Sequence, residues 1–252
     1  MTMRGLKGKS ILITGGASGI GRATAAALAR SGCLVTIGDR DEAAGNALAA
    51  ELTAEGGSVH FQRCDVTSED DAAALVHAVL DQYGRLDGAC YSAGLSTVRK
   101  PLIEMSREEW SRATAVNLDG AFLALKHQLP AMIGAGGGSI VLIASMAAMK
   151  GTPMAADYCA SKSGMLGLMR SAAAEYSAQG VRINVIMPGA TATPMLEAAT
   201  SPEHSAGLIA RTPIHRIAEP REIADSVCWL LSEEASFVTG AAIPVDGGMS
   251  AL

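Results

Sequence analysis

The sequence predicts an α/β fold: one doubly wound parallel sheet of about seven strands, with helices on both faces. Three observations carry this. Short apolar runs rich in β-branched residues alternate with longer helical stretches from end to end. Several of those runs are continuously apolar, as strands covered on both faces require. A glycine-rich turn separates the first run from the first helix.

The strands are read at "SILIT" (10–14), "LVTIG" (34–38), "VHFQRC" (59–64), "LDGACY" (86–91), "SIVLIA" (139–144), "RINVIM" (182–187) and "AAIPV" (241–245). Helices are expected near 19–31, 41–55, 68–83, 106–132, 156–178 and 219–232. The stretch 190–217 carries proline turns and no clear strand, and is read as a mobile lid. With no linker, repeat or low-complexity tract, 1–252 reads as one domain. Its dinucleotide-binding part spans about 8–95 and its catalytic and substrate part about 96–252.

Composition narrows the partners. A net charge of −5 without a Lys/Arg cluster argues against nucleic acid and anionic membrane surfaces. The N-terminus shows no signal-peptide core, and cysteines without a disulfide pattern make a reducing cytoplasm the expected compartment. Residues 131–149 are uncharged, yet Gly134, Gly136, Gly137 and Gly138 make them a turn and a buried strand rather than a span. The five cysteines (33, 64, 90, 159 and 228) are scattered and form no CxxC, so neither a disulfide framework nor a zinc site is expected. Cys159, beside Tyr158, is expected to be a small buried residue rather than a nucleophile.

"TGGASGIG" (14–21) follows the first strand and opens the first helix. Loops use glycine in any case, but at this place Gly15, Gly19 and Gly21 let the backbone approach a ligand closely. Ser18 and Ile20 lie in the same turn, and the helix start offers N–H groups to a pyrophosphate. About 20 residues on, Asp39 ends the second strand, where a carboxylate accepts from ribose hydroxyls and repels a 2′-phosphate. That favours NAD. Arg40 either pairs with a 2′-phosphate or is a solvated loop residue. Asp65, next to Val66, either caps the following helix or hydrogen-bonds adenine.

"YCASK" puts Tyr158 and Lys162 one helical turn apart on one face. A nearby cation favours a phenolate, and a phenol so tuned exchanges protons with an alcohol. The same spacing also suits an ordinary helix with a packed ring and a solvated amine.

With these pieces together, the chain resembles the short-chain dehydrogenase/reductase family over essentially its whole length, from Lys9 to the C-terminal "VDGGMSAL". "TGGASGIG" matches its glycine turn, "NLDG" (117–120) its active-site Asn segment, and "SIVLIAS" ends in Ser145 at the catalytic serine's place. "YCASK" matches YxxxK, and "MPGATATP" (187–194) matches the loop that closes over nicotinamide.

The resemblance implies reversible oxidation of a secondary alcohol to a ketone, with the proton handled by Tyr158. Lys162 favours the phenolate and holds the nicotinamide ribose, Ser145 hydrogen-bonds the reacting oxygen, and Asn117 holds a relay water. Pro188, Gly189, Thr191 and Thr193 serve the nicotinamide end, and Ser92, Ala93 and Gly94 the adenosine ribose. NADP-preferring members often carry a basic residue where Ser18 stands, so the cofactor implied is NAD. "YSAG" (91–94) departs from the family's NNAG: Ser92 replaces an Asn that steadies the sheet, and Tyr91 reads as core.

Met146, Met154 and Met195, with Leu95, Met149, Leu196 and Leu208, suggest an apolar substrate lining without a carboxylate clamp. A neutral cyclic or aryl alcohol fits it, and the chain looks closest to bacterial members acting on such compounds. His204 and His215, in the lid, are free to touch substrate, but solvated surface is the expectation for each. Family members commonly form homotetramers through helices matching 106–132 and 156–178. One rival is an NADPH-dependent ketoreductase of 3-oxoacyl carriers. The other is a non-catalytic dinucleotide sensor, which has no need of Ser145, Tyr158 and Lys162 together.

Overall fold

A computed structural model describes residues 3–199 and 201–251. Met1, Thr2, Thr200 and Leu252, which the predicted domain and lid include, lie outside the described residues. The elements run β1 (Ser10–Thr14), α1 (Gly19–Arg30), β2 (Leu34–Asp39), α2 (Glu42–Ala54), β3 (Ser58–Arg63), α3 (Glu69–Tyr83) and β4 (Gly88–Tyr91). Then follow α4 (Arg107–Thr114), α5 (Gly120–Gly134), β5 (Gly138–Ile143), α6 (Ala156–Tyr176) and β6 (Val181–Pro188). The chain ends with α7 (Pro194–Ala199), α8 (Pro202–Arg211), α9 (Pro220–Leu231) and β7 (Ala242–Val245).

The strands form one parallel sheet in the order β3-β2-β1-β4-β5-β6-β7. This is the expected fold. Alternation along each strand divides the core in two. Leu12, Ile140 and Leu142 pack with Val79, Leu125 and Met165 under α3, α5 and α6. Ile11, Ile13, Val141 and Ile143 pack with Leu28, Val35, Val227 and their neighbours under α1, α2 and α9. Both layers bury large aliphatic side chains completely, and that burial dominates the stabilisation.

Local chemistry fixes the ends. The Asp41 carboxylate accepts from the Ala44 N–H at 3.0 Å and caps α2. Ser68 caps α3 by accepting from the Asp71 N–H at 3.2 Å, and α3 stops at Gly84 in the left-handed conformation. Ser106 and Glu109 form a reciprocal capping box that starts α4. The direction in which successive strands are added reverses between β1 and β4, which run parallel, so a crevice opens above their carboxyl ends.

Two expectations change. The helix read at 106–132 is interrupted by a π-helical turn, Ala115–Asp119, which separates α4 from α5. The stretch read as irregular, 190–217, contains α7 and α8. Both begin with a proline in the first turn, where a missing N–H costs nothing. With six residues α7 is too short for an apolar period to show in the sequence, and α8 lies between two proline turns that read as loop.

Residues 131–149 are the end of α5, a turn with Gly136 and Gly137 at positive φ, and β5. No helix among the described residues is long and apolar enough to cross a membrane, and no group there is placed to hold a metal ion. The cysteines are unpaired. Four are buried, but Cys159 is only half-buried, against expectation, because its place in the first turn of α6 turns it toward the Lys150 carbonyl.

Candidate active site

A cleft of about 490 Å³ lies over the carboxyl ends of β1, β2, β4, β5 and β6. Its nucleotide end is shaped by main chain. A Cβ on Gly15, at φ +74°, would sit 2.4 Å from the Ala93 nitrogen, and one on Gly21 only 2.0 Å from the Gly15 carbonyl oxygen. Gly19, at φ +52°, lies against the Thr193 methyl. Gly15 and Gly21 leave no room for a side chain, and the positive φ of Gly19 favours glycine there too. Ser18 stands before α1 but makes no side-chain cap, so the first-turn N–H groups remain available to an anion. Gly15, Ser18, Gly19 and Ile20 line the cleft, while Gly21 lies beneath the turn and permits it. This cradle fits the pyrophosphate of a dinucleotide.

Asp39 ends β2 at the cleft wall. Its Oδ2 accepts from the Ala17 N–H at 3.0 Å and its Oδ1 from the Asp41 N–H at 3.1 Å. The carboxylate thus ties the glycine turn to β2, and each oxygen keeps a lone pair for a ligand hydroxyl. Arg40, Asp65 and Val66 line the same end. Asp65 does not cap the next helix, because Ser68 does so. Its carboxylate instead accepts from the Thr67 N–H and hydroxyl at 3.0 and 2.8 Å, which hold it below the usual carboxylate range. Ser92, Ala93 and Gly94 form the adjoining wall, and the Ser92 N–H donates to the Thr14 carbonyl at 2.8 Å.

Side chains dominate the other end. Ser145 follows β5, and its hydroxyl accepts from the Ala147 N–H at 3.2 Å. Tyr158 and Lys162 stand one turn apart on α6, with the Lys162 Nζ 5.8 Å from the centre of the phenol ring. Nζ donates to the Ile143 carbonyl at 2.8 Å, and the side chain is 3% exposed. Burial brings this amine down to about 8. The Tyr158 phenol is not lowered as the pair alone suggests: burial pushes it up, and the Ser145 hydroxyl pulls it only partly back.

Asn117 sits in the π-helical turn, fully buried. Its Oδ1 accepts from the Leu95 N–H at 2.8 Å, and its Nδ2 donates to the Leu95 carbonyl at 3.1 Å and the Ser161 hydroxyl at 3.2 Å. It therefore clamps the segment after β4 to α6. A Cβ on Gly94 would fall 3.2 Å from Asn117 Oδ1 and 3.5 Å from Lys162 Nζ, so these three groups meet. Tyr91 is core: its buried hydroxyl donates to the Val116 carbonyl, within the π-helical turn.

Pro188, Gly189, Thr191 and Thr193 line the cleft after β6. Both threonine hydroxyls have local partners: Thr191 donates to the Gly189 carbonyl at 3.1 Å, and Thr193 accepts from the Leu196 N–H at 3.3 Å.

Comparison with known proteins fits this arrangement. The family model described as enoyl-(acyl carrier protein) reductase matches residues 15–250. The chain is 44% identical to a 2,5-dichloro-2,5-cyclohexadiene-1,4-diol dehydrogenase of Sphingobium indicum, over 99% of this chain and all of that one. This is a short-chain dehydrogenase/reductase. A further relative of this dehydrogenase/reductase, at 40% identity, is a cis-4-hydroxycyclohexanecarboxylate dehydrogenase of Sinomonas cyclohexanicum, with 96% of each chain covered. Among solved structures, levodione reductase superposes with a TM-score of 0.95 at 36% identity, covering 97% of this chain and 98% of that one.

The substrate side of this dehydrogenase/reductase differs from expectation in places. Met146 and Met195 line the cleft with Leu95, Leu196 and Leu208. Met154 does not: at φ +59° its side chain turns outward and is 48% exposed, leaving Pro153 and Ala155 in the wall. Met149 is exposed as well. His215 is exposed as expected, but His204 is half-buried and lines the cleft with Thr97 and Arg99. No motif signals these last three, because they meet only through tertiary structure.

Proposed function

We propose that the protein is an NAD(H)-dependent dehydrogenase that interconverts a secondary alcohol on an apolar ring and its ketone. One observation carries this reading: Ser145, Tyr158 and Lys162 converge on the cleft that the glycine turn and Asp39 also line. Bound dinucleotide would supply the chemistry of accepting hydride from the carbinol carbon, or returning it. Tyr158 takes the hydroxyl proton in oxidation and gives it back in reduction. Ser145 donates a hydrogen bond to the reacting oxygen and stabilises the charge that develops there. Lys162 would offer a donor to the nicotinamide ribose, and Asn117 fixes the segment after β4 through Leu95.

Asp39 supports NAD over NADP, since a 2′-phosphate would meet its carboxylate. Relatives acting on ring alcohols and the apolar wall of Leu95, Met195 and Leu208 support a cyclic substrate. The assembly proposed is a homotetramer. Exposed Phe122 on α5 and Phe237 are apolar surface suited to such contacts, and light scattering in solution tests the count.

The deciding experiment offers cyclic and aryl secondary alcohols with NAD⁺ or NADP⁺ and follows the absorbance of the reduced nucleotide. The reading predicts turnover with NAD⁺. Preference for NADP⁺ would move the assignment to a ketoreductase with Arg40 as the phosphate partner. Silence across the panel would leave the dinucleotide-sensor reading.

A further inference from the structure

Arg99 lies in the segment after β4 and has no carboxylate partner: among the described residues, no Asp or Glu forms an ion pair with it. Its backbone is at φ +55°, a region side-chain-bearing residues rarely occupy. Such a conformation persists only where the surroundings impose it. Here the Arg99 N–H donates to the Thr97 hydroxyl at 3.2 Å. That hydroxyl in turn donates to the Asp157 carboxylate at 2.7 Å. Asp157 is 1% exposed, in the first turn of α6, one residue before Tyr158. A chain of hydrogen bonds thus runs from the helix bearing the reactive phenol to the backbone of Arg99.

The side chain is placed too. An Arg99 Nη2 lies 2.9 Å from the His204 Nε2, in α8. A guanidinium only donates, so the imidazole accepts and is neutral in this contact. Burial, then the positive charges of Arg99 and Arg211, lower the His204 pKa and keep it so. One of five guanidinium N–H groups is used, and the rest remain free for a ligand.

Arg99 and His204 line the same cleft as Ser145 and Tyr158. Of the other charged side chains there, Asp39, Arg40 and Asp65 stand at the nucleotide end and Lys162 at the reacting centre. Arg99 is the one formal charge among the described lining residues with neither task. It shares its end of the cleft with Leu95, Leu196 and Leu208, which give a ring an apolar seat.

We propose that Arg99, steadied by His204, recognises a carboxylate on the substrate at a distance from the carbinol carbon. The preferred substrate is then an apolar ring carrying a secondary hydroxyl and a remote anionic group. This rests on the alcohol dehydrogenase reading above and replaces the neutral substrate expected from the apolar side chains alone. A guanidinium suits the task because its parallel N–H groups meet both carboxylate oxygens at once.

The test compares cis-4-hydroxycyclohexanecarboxylate with its methyl ester, each oxidised with NAD⁺. Wild-type kcat/KM should favour the acid, and added salt should narrow that preference. Arg99→Gln should lower the acid-to-ester ratio by about tenfold, the scale of a lost charge-assisted hydrogen bond. Arg99→Lys should recover part of the ratio, since charge survives but the fork does not. An ester turned over as well as the acid, or an Arg99→Gln ratio equal to wild type, would overturn the proposal while leaving the dehydrogenase standing. Equal loss on both substrates would show that the contact only ties α8 to the loop. Failure of wild type on both compounds and on the wider alcohol panel would sink the dehydrogenase reading itself.

Discussion

At the nucleotide end of the cleft, shape is set by main chain packed against main chain, whereas at the reacting end it is set by side chains from separate segments. The first end tolerates no added atom: a methyl group on Gly21 would lie 2.0 Å from a carbonyl oxygen. The second depends on single polar atoms, such as the Tyr158 hydroxyl and the Lys162 amine. Deleting an atom should therefore be catastrophic for chemistry at one end, and adding one should be catastrophic for binding at the other.

The largest expected effect is a deletion. Tyr158→Phe removes only the hydroxyl, and kcat should fall by about 10²- to 10⁴-fold, the range of general acid–base catalysis. Titration of the variant with NAD⁺ should still show binding, because the glycine turn and Asp39 are untouched. A variant that kept most of its turnover would remove Tyr158 from the proton transfer.

Next comes an addition. Gly21→Ala forces a methyl group into the Gly15 carbonyl, backbone against backbone, where no flexible side chain can yield. Overpacking of this kind costs about 1–3 kcal/mol or more, so Tm should drop and NAD⁺ affinity with it. Unchanged melting and unchanged affinity would show that the turn yields, and the contrast between the two ends would collapse.

The same contrast explains what the sequence reveals. Close backbone approach demands glycine, so "TGGASGIG" announces the nucleotide end in residue types alone. The Tyr158–Lys162 pair is legible because helical spacing puts both on one face. The Arg99–His204 contact is not, since it joins residues 105 apart and depends on a positive φ at an ordinary residue. Met154 misleads for the same reason: its residue type suits a pocket, but its backbone turns it out. The π-helical turn escapes notice because the apolar pattern runs through it, α7 because six residues show no period, and α8 because the prolines on either side of it read as turns. Spacing also says nothing of the burial that raises the phenol, or of the Ile143 carbonyl to which the amine donates.

Asp39 crosses the divide, being a side chain that holds the main-chain end together. Asp39→Ala removes the acceptor for the Ala17 N–H and for a ribose hydroxyl, and also the charge that would repel a 2′-phosphate. Its kcat/KM with NAD⁺ should fall by about tenfold, with a smaller loss or a gain for NADP⁺. Equal losses with both nucleotides would assign Asp39 to turn structure alone and leave cofactor choice to Arg40.

The smallest effect concerns stability at the side-chain end. Lys162 titrates near 8 in the folded protein and at an ordinary 10.5 when unfolded. Below about 8 both states hold the proton, so the full cost of burying an ammonium is present. Between 8 and 10.5 the unfolded chain binds more protons than the folded one, so this group's contribution to stability rises with pH across that window. Lys162→Met abolishes the titration. The Tm difference, variant minus wild type, should therefore decline as pH is raised from 8 to 10.5, whatever its value at the start. A difference that stays constant would mean the amine does not change charge on folding in that range, and the buried cation at the reacting end would need another account.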